Sequence, residues 1–204
     1  MRMEALSKEL AAENWSKLNV KERTELMQRV ENLEAESQNR PAAKVSTEYM
    51  QDNQRGYYAP TQNSIVQNHD MVKYSSTSDQ VRTNVLHEGR HAYQHDVVSH
   101  PENHPEVSKG TVQAWSDNLA PGHYVQAKQD IFGYYNQPVE RDARQYAETQ
   151  TQAYSQHASQ TQGNAQGHGQ SASNSTGQSN SSGQGHSNGS GGESNSNSQE
   201  MGIT

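Results

Sequence analysis

The last fifty residues of this 204-residue chain hold almost nothing that can be buried. Between residues 155 and 204 there are 13 Ser and 10 of the 15 Gly, and the only hydrophobic side chains are Ala158, Ala165, Ala172, Met201 and Ile203. Ordering a backbone costs about 1–2 kcal/mol per residue, and a segment this poor in apolar surface cannot offset that cost. Residues 155–204 are therefore expected to form a disordered tail rich in Ser, Gly, Asn and Gln. Any core must come from residues 1–154. The whole chain is 29% hydrophobic. Without the tail the share rises to about 35%, which suffices for one modest core. The expected organisation is one domain followed by a tail.

Several classes drop out on composition. There is no Cys, so disulfide frameworks, thiolate nucleophiles and Cys-ligated metals are excluded, and any metal falls to His and carboxylates. No apolar run approaches the roughly 18 residues that a membrane span requires. Met1 to Leu10 interleaves charged and apolar residues and lacks the unbroken apolar stretch of a signal peptide. The net charge of -7 disfavours a nucleic-acid surface. These features point to a cytoplasmic protein, or one exported by a signal-peptide-independent route, with neither nucleic acid nor membrane as partner.

Hydrophobic periodicity divides the remainder. Leu6, Leu10, Trp15 and Leu18, then Leu26, Val30 and Leu33, recur at helical spacing. This predicts two helices across residues 3–37 that meet near Lys17 to Asn19. Asn19 would cap the second, and Asn39-Arg40-Pro41 would stop it. Residues 43–74 change period and predict two or three short antiparallel strands, with a turn at Pro60-Thr61-Gln62-Asn63. Residues 79–98 return to helix, with Asp79 as the expected N-cap. A Pro-punctuated loop over 99–109 leads to a short helix over 110–119 and a further helical segment over 123–135. Pro138 suits the first turn of a helix running to about Tyr154. The fold class read from this order is α+β, helices with a small antiparallel sheet.

The chemistry concentrates in Val85-Leu86-His87-Glu88-Gly89-Arg90-His91-Ala92-Tyr93-Gln94. On a helix, residues four apart share a face, so His87 and His91 can reach one ion. Glu88 is turned about a third of the way round, where its carboxylate can take a proton from water that the ion polarises. With 10 His among 204 residues, chance would produce this pattern only about 0.04 times. A catalytic zinc usually takes three protein ligands and leaves one position open. No His stands at 94 or 97, where the longer metzincin motif would place its Gly and third His; Gln94 and Val97 are there instead. Glu140 is the expected third ligand. It opens a helix after Pro138, and Ala143 and Ala147 continue its face with side chains small enough for close helix approach. Asp142 is the alternative. His95 lies a turn beyond the motif, and His100, His104, His123, Tyr134 and Tyr135 are candidate donors to an oxyanion.

His87-Glu88-x-x-His91 with a later Glu140 resembles the gluzincin branch of the zincin metallopeptidases. The wider string is similar to small zincin-like domains of bacterial secreted and polymorphic-toxin proteins. It comprises Trp15, Glu31-Asn32, Arg40-Pro41, Gly56-Tyr57, the motif helix, Trp115 and Gln137-Pro138-Val139-Glu140-Arg141-Asp142-Ala143. The likeness covers about residues 10–153. It implies a zinc-dependent metallopeptidase that hydrolyses peptide bonds in a peptide or protein substrate. Zn²⁺ would be held by His87, His91 and Glu140, with Glu88 as general base and an edge strand from the 56–68 hairpin holding extended substrate. Arg90 departs from the pattern, since many zincins carry uncharged residues there; it would pair with Asp142 or Asp96, or face the substrate. Two alternatives accompany this reading. One is a non-catalytic zinc-binding interaction module. The other is the same domain as an exported bacterial toxin or effector, with an immunity or inhibitor protein as partner.

Overall fold

Asn19 starts its helix through a reciprocal box. Its side chain accepts the Glu22 N–H at 3.1 Å, and Glu22 Oε2 accepts the Asn19 N–H at 2.8 Å. The computed structural model describes residues 2–51 and 54–166. Among them, in chain order, are α1 (Arg2–Glu9), α2 (Ala12–Trp15), α3 (Val20–Ser37), β1 (Lys44–Glu48), β2 (Gly56–Ala59), β3 (Ser64–Asn68), α4 (His69–Tyr74), α5 (Asp79–Ser99), α6 (Lys109–Leu119), α7 (Ile131–Asn136) and α8 (Pro138–Gln166). The α+β class is as expected. No helix among the described residues is long and apolar enough to cross a membrane.

The sheet differs from the all-antiparallel arrangement anticipated. Its order is β1-β3-β2; β2 and β3 form the expected hairpin, but β1 runs parallel to β3, with Val45 opposite Ile65. The reason is the strand order: the chain passes from β1 to β2, which runs back, and β3 then fills the gap between them in the direction of β1. Gln28 accepts the Val45 N–H at 2.7 Å and donates to the Ala43 carbonyl at 2.9 Å, so a side-chain amide satisfies the outer edge of β1.

Three boundaries also move. Ser78, rather than Asp79, is the N-cap position of α5, and Asp79 binds Arg82 at 2.7 Å from the first turn. Within residues 123–135 only the stretch from Ile131 is helical. The Gln137 side chain pairs with both the N–H and the carbonyl of Val125 at 3.0 Å, which gives that backbone partners outside a helix. α4 was not anticipated; Asn68 caps it by accepting the Asp70 N–H at 3.0 Å. At the other end, α8 continues past Tyr154 to Gln166. The expectation of disorder for residues 167–204 lies outside the described residues.

The core forms where α3, α5, α8 and the sheet converge. Trp15, Met27, Val30, Ile65, Val81 and Val85 are fully buried there. Charged residues cross this core in pairs. Arg40 and Glu31 form a two-pronged ion pair at 2.6 and 3.0 Å, and Glu31 also accepts the Ala43 N–H at 2.8 Å. Glu34, one turn on, receives the hydroxyls of Tyr146 and Tyr154 from α8. Burial raises the pKa of Glu34, and the two tyrosines work against that rise.

The Glu31–Arg40 pair explains the glycine within the motif. A Cβ on Gly89 would lie 2.7 Å from Glu31 Oε2 and 3.1 Å from Arg40 Nη2. Both atoms are pinned by their own hydrogen bonds. In an open helix Gly to Ala adds roughly 0.5–1 kcal/mol. Here Gly89→Ala is expected to lower stability instead, by about 1–3 kcal/mol through overpacking. Urea unfolding of the two proteins measures it, and an equal or higher midpoint for Gly89→Ala would contradict the packing argument.

Candidate metal centre

α5 and α8 lie against each other with small residues between them. Ala143 and Ala147 of α8 are 0 and 1% exposed. This closeness brings the first turn of α8 onto the motif face of α5. The Nε2 atoms of His87 and His91 are 3.2 Å apart. Glu140 Oε2 lies 3.2 Å from His87 Nε2, and Glu140 Oε1 lies 3.2 Å from His91 Nε2. Among the described residues these three side chains form the one group of His and carboxylates able to hold a metal ion. Asp142, the alternative, faces elsewhere.

Glu140 is the unusual member, being a carboxylate 1% exposed on a stripe of Ala and Val. Such a group requires compensating charge or hydrogen bonds. Oε1 receives the Tyr124 hydroxyl at 2.5 Å, but Oε2 is buried without a hydrogen bond. Arg144 Nη1 stands 3.9 Å from Oε2 and is itself without a hydrogen-bond partner. A buried oxygen without a hydrogen bond, flanked by two imidazole nitrogens, is a donor set that a divalent cation fits. Burial pushes the Glu140 carboxyl upward, yet the two imidazoles, each 3.2 Å from one of its oxygens, hold it well below the usual carboxylate range. Burial likewise opposes charge on His91. The Glu140 hydrogen bond, with the charges of Glu88 and Glu140, outweighs it and raises His91 to about 9.

The surroundings answer the question of Arg90. Its guanidinium binds Asp142 through Nε at 2.8 Å and Nη2 at 3.1 Å, and lies 4.3 and 4.7 Å from the ring centroids of Tyr93 and Tyr146. It faces away from the two His and clamps α5 to α8 by charge and cation–π contact.

A cleft of about 880 Å³ opens beside the group. Its walls include Gly56 and Tyr57 of β2, Asn84, His87 and Glu88 of α5, and Tyr134 of α7. Gly56 permits the strand to lie against the helix, because a Cβ there would meet Asn84 Nδ2 at 2.4 Å. The outer edge of β2 pairs with no other strand among the described residues. The Glu88 carboxylate faces the cleft at 8% exposure of the residue and has no hydrogen bond or ion pair among the described residues. Burial raises the pKa of both Tyr134 and Tyr124, followed by the Glu140 charge at Tyr134 and the hydrogen bond to Glu140 at Tyr124, so both remain hydroxyl donors.

The other candidates are dispersed. His104 is buried against Asp96, with Nε2 to Oδ2 at 2.8 Å; His100 pairs with Glu102, and His123 binds the Asp117 carbonyl. His95 packs against Tyr58 on a different wall, and Tyr135 stacks on Arg144. None of these four His lines the cleft, nor does Tyr135. Sequence reasoning missed Tyr124, whose position depends on the Gln137–Val125 pairing, and Gln94, whose only signal was its place one turn beyond His91. No family model, no curated protein and no solved structure matches the chain.

The raised His91 gives a pH signature to the metal-free protein. The folded state holds a proton up to about 9, whereas an unfolded imidazole releases it near 6.5. That contribution is full below pH 6.5 and is lost as pH rises through 9. Chelator-treated protein is expected to lose stability across this window, and His91→Gln should flatten the profile. Equal slopes for the two proteins would contradict the assignment.

Proposed function

We propose that the chain is a zinc-dependent metallopeptidase. The observation that carries this is the convergence of His87, His91 and Glu140 from two helices, with Glu88 unpartnered at the adjoining cleft. The 3.2 Å separations between donor atoms are compatible with a small four-coordinate divalent ion, zinc among them. Ligands about 2.0–2.1 Å from a tetrahedral ion stand roughly 3.3–3.4 Å apart. Zn²⁺, when bound, supplies Lewis acidity that acidifies water and polarises a carbonyl. Glu88 accepts a proton from the water that attacks the scissile carbonyl carbon. It then passes that proton to the amine nitrogen as the C–N bond breaks. Tyr134, at the cleft wall, is placed to donate to the carbonyl oxygen as it gains charge. The unpaired edge of β2 offers main-chain groups to an extended peptide.

A closed structural zinc site would carry four protein ligands and would not need Glu88. Among the described residues no fourth His or carboxylate joins the group, which favours catalysis over a zinc-stapled binding module.

Elemental analysis of protein purified without chelator should find one zinc per chain. Glu88→Gln should retain zinc and fold while cutting hydrolysis of a peptide library about 10²–10⁴-fold. Absence of metal uptake on titration would remove the site, and wild-type turnover by Glu88→Gln would remove the mechanism.

A further inference from the structure

Gln94 is fully buried one turn beyond His91, and all its polar atoms are engaged. Its Oε1 lies 2.9 Å from His91 Nδ1. Its Nε2 donates to the Val139 carbonyl at 2.9 Å and to Asp142 Oδ2 at 2.7 Å. The amide has a single acceptable orientation. Turned over, its oxygen would face two other oxygens, and its NH₂ would face His91. Asp142 is held in turn by Arg90, whose guanidinium is wedged among Tyr93, Tyr146 and Trp115. A locked acceptor opposite Nδ1 requires Nδ1 to carry the hydrogen. The lone pair of the neutral ring then sits on Nε2, the atom that faces His87 and Glu140.

We propose that Gln94, locked by Val139 and the Asp142–Arg90 pair, is a positioning residue that selects the Nδ1–H tautomer of His91 and so presents Nε2 for ligation. The proposal rests on the metal reading above. His87 has no such partner: its Nδ1 makes no hydrogen bond among the described residues. The centre is thus asymmetric, with one imidazole oriented before an ion arrives and the other oriented by the ion. An outer partner of a ligating His commonly governs tautomer, ring angle and affinity together.

Two measurements on the full chain test this. Zinc affinity is read by competition with a chromophoric chelator for wild type and Gln94→Met, which keeps the volume and removes the amide. The protonated nitrogen of His91 is read by long-range ¹H–¹⁵N correlation on metal-free wild type above about pH 9, where the ring is neutral, with His87 as internal reference. The expected results are a roughly 10–100-fold loss of affinity in Gln94→Met and a slowly exchanging proton on His91 Nδ1 in wild type. Should Gln94→Met fail to fold, the wild-type spectrum still decides. A proton on His91 Nε2, or unchanged zinc affinity in folded Gln94→Met, would overturn the role of Gln94 while leaving the metal centre standing. Failure of wild type to bind zinc would overturn both.

Discussion

A carboxylate taken out of water must find its charge answered by neighbours, and Glu140 is 1% exposed on a face otherwise made of Ala and Val. Isolated burial of an ionised carboxylate is so costly that such groups are neutralised, paired or bound to metal. The architecture around Glu140 follows from that demand. Two imidazoles approach it from α5, Tyr124 donates from the preceding loop, and Arg144 supplies a cation one turn along α8. For α5 to deliver both His residues, the helices must come close, hence Ala143 and Ala147 on the α8 face that meets it. For the first turn of α8 to sit still, its free N–H groups need acceptors. Asn118 supplies one to Val139 at 3.2 Å while bonding Gln137 at 3.0 Å.

The motif helix answers to several neighbours at once, and each position within His87-Glu88-Gly89-Arg90-His91 has a separate physical cause. His87 and His91 meet Glu140, Glu88 meets the cleft, Gly89 yields to the Glu31–Arg40 pair, and Arg90 reaches Asp142. The two variable positions of the pattern are therefore as constrained as the ligands, by charges that do not touch an ion. The buried pair against Gly89 also ties α3 and the start of β1 to the helix that carries the site.

The metal-capable group was legible in the sequence because its information is local or nearly so. The i, i+4 spacing places both His on one face, and the Pro138 start with its Ala stripe marks Glu140 as inward-facing. The helices α3, α5 and α6 were legible for the same reason, since periodicity is a property of neighbours in sequence. The parallel pairing of β1 was not, because it joins β1 to β3 across the intervening β2, and strand order and direction are not properties of neighbours in sequence. Tyr124 reads as part of a helix because its stretch is rich in apolar residues. What overrides that propensity is one side chain, Gln137, which binds the backbone of Val125 from twelve residues away. Gln94 and Arg90 carried residue-level signals, yet their meaning depends on Val139 and Asp142 across the helix interface.

The three side chains of the metal-capable group also arrive at different times. His87 and His91 precede Glu140 by about 50 residues, a delay of several seconds at the roughly 5–20 residues per second of synthesis. During that interval α5 can present only a two-imidazole half-site, with no carboxylate to complete it. Only when the first turn of α8 emerges and docks does the third donor appear. On the metal reading proposed above, ion capture would wait on the docking of α8, and a chain stalled before that point would have an incomplete site and a correspondingly weak hold on metal.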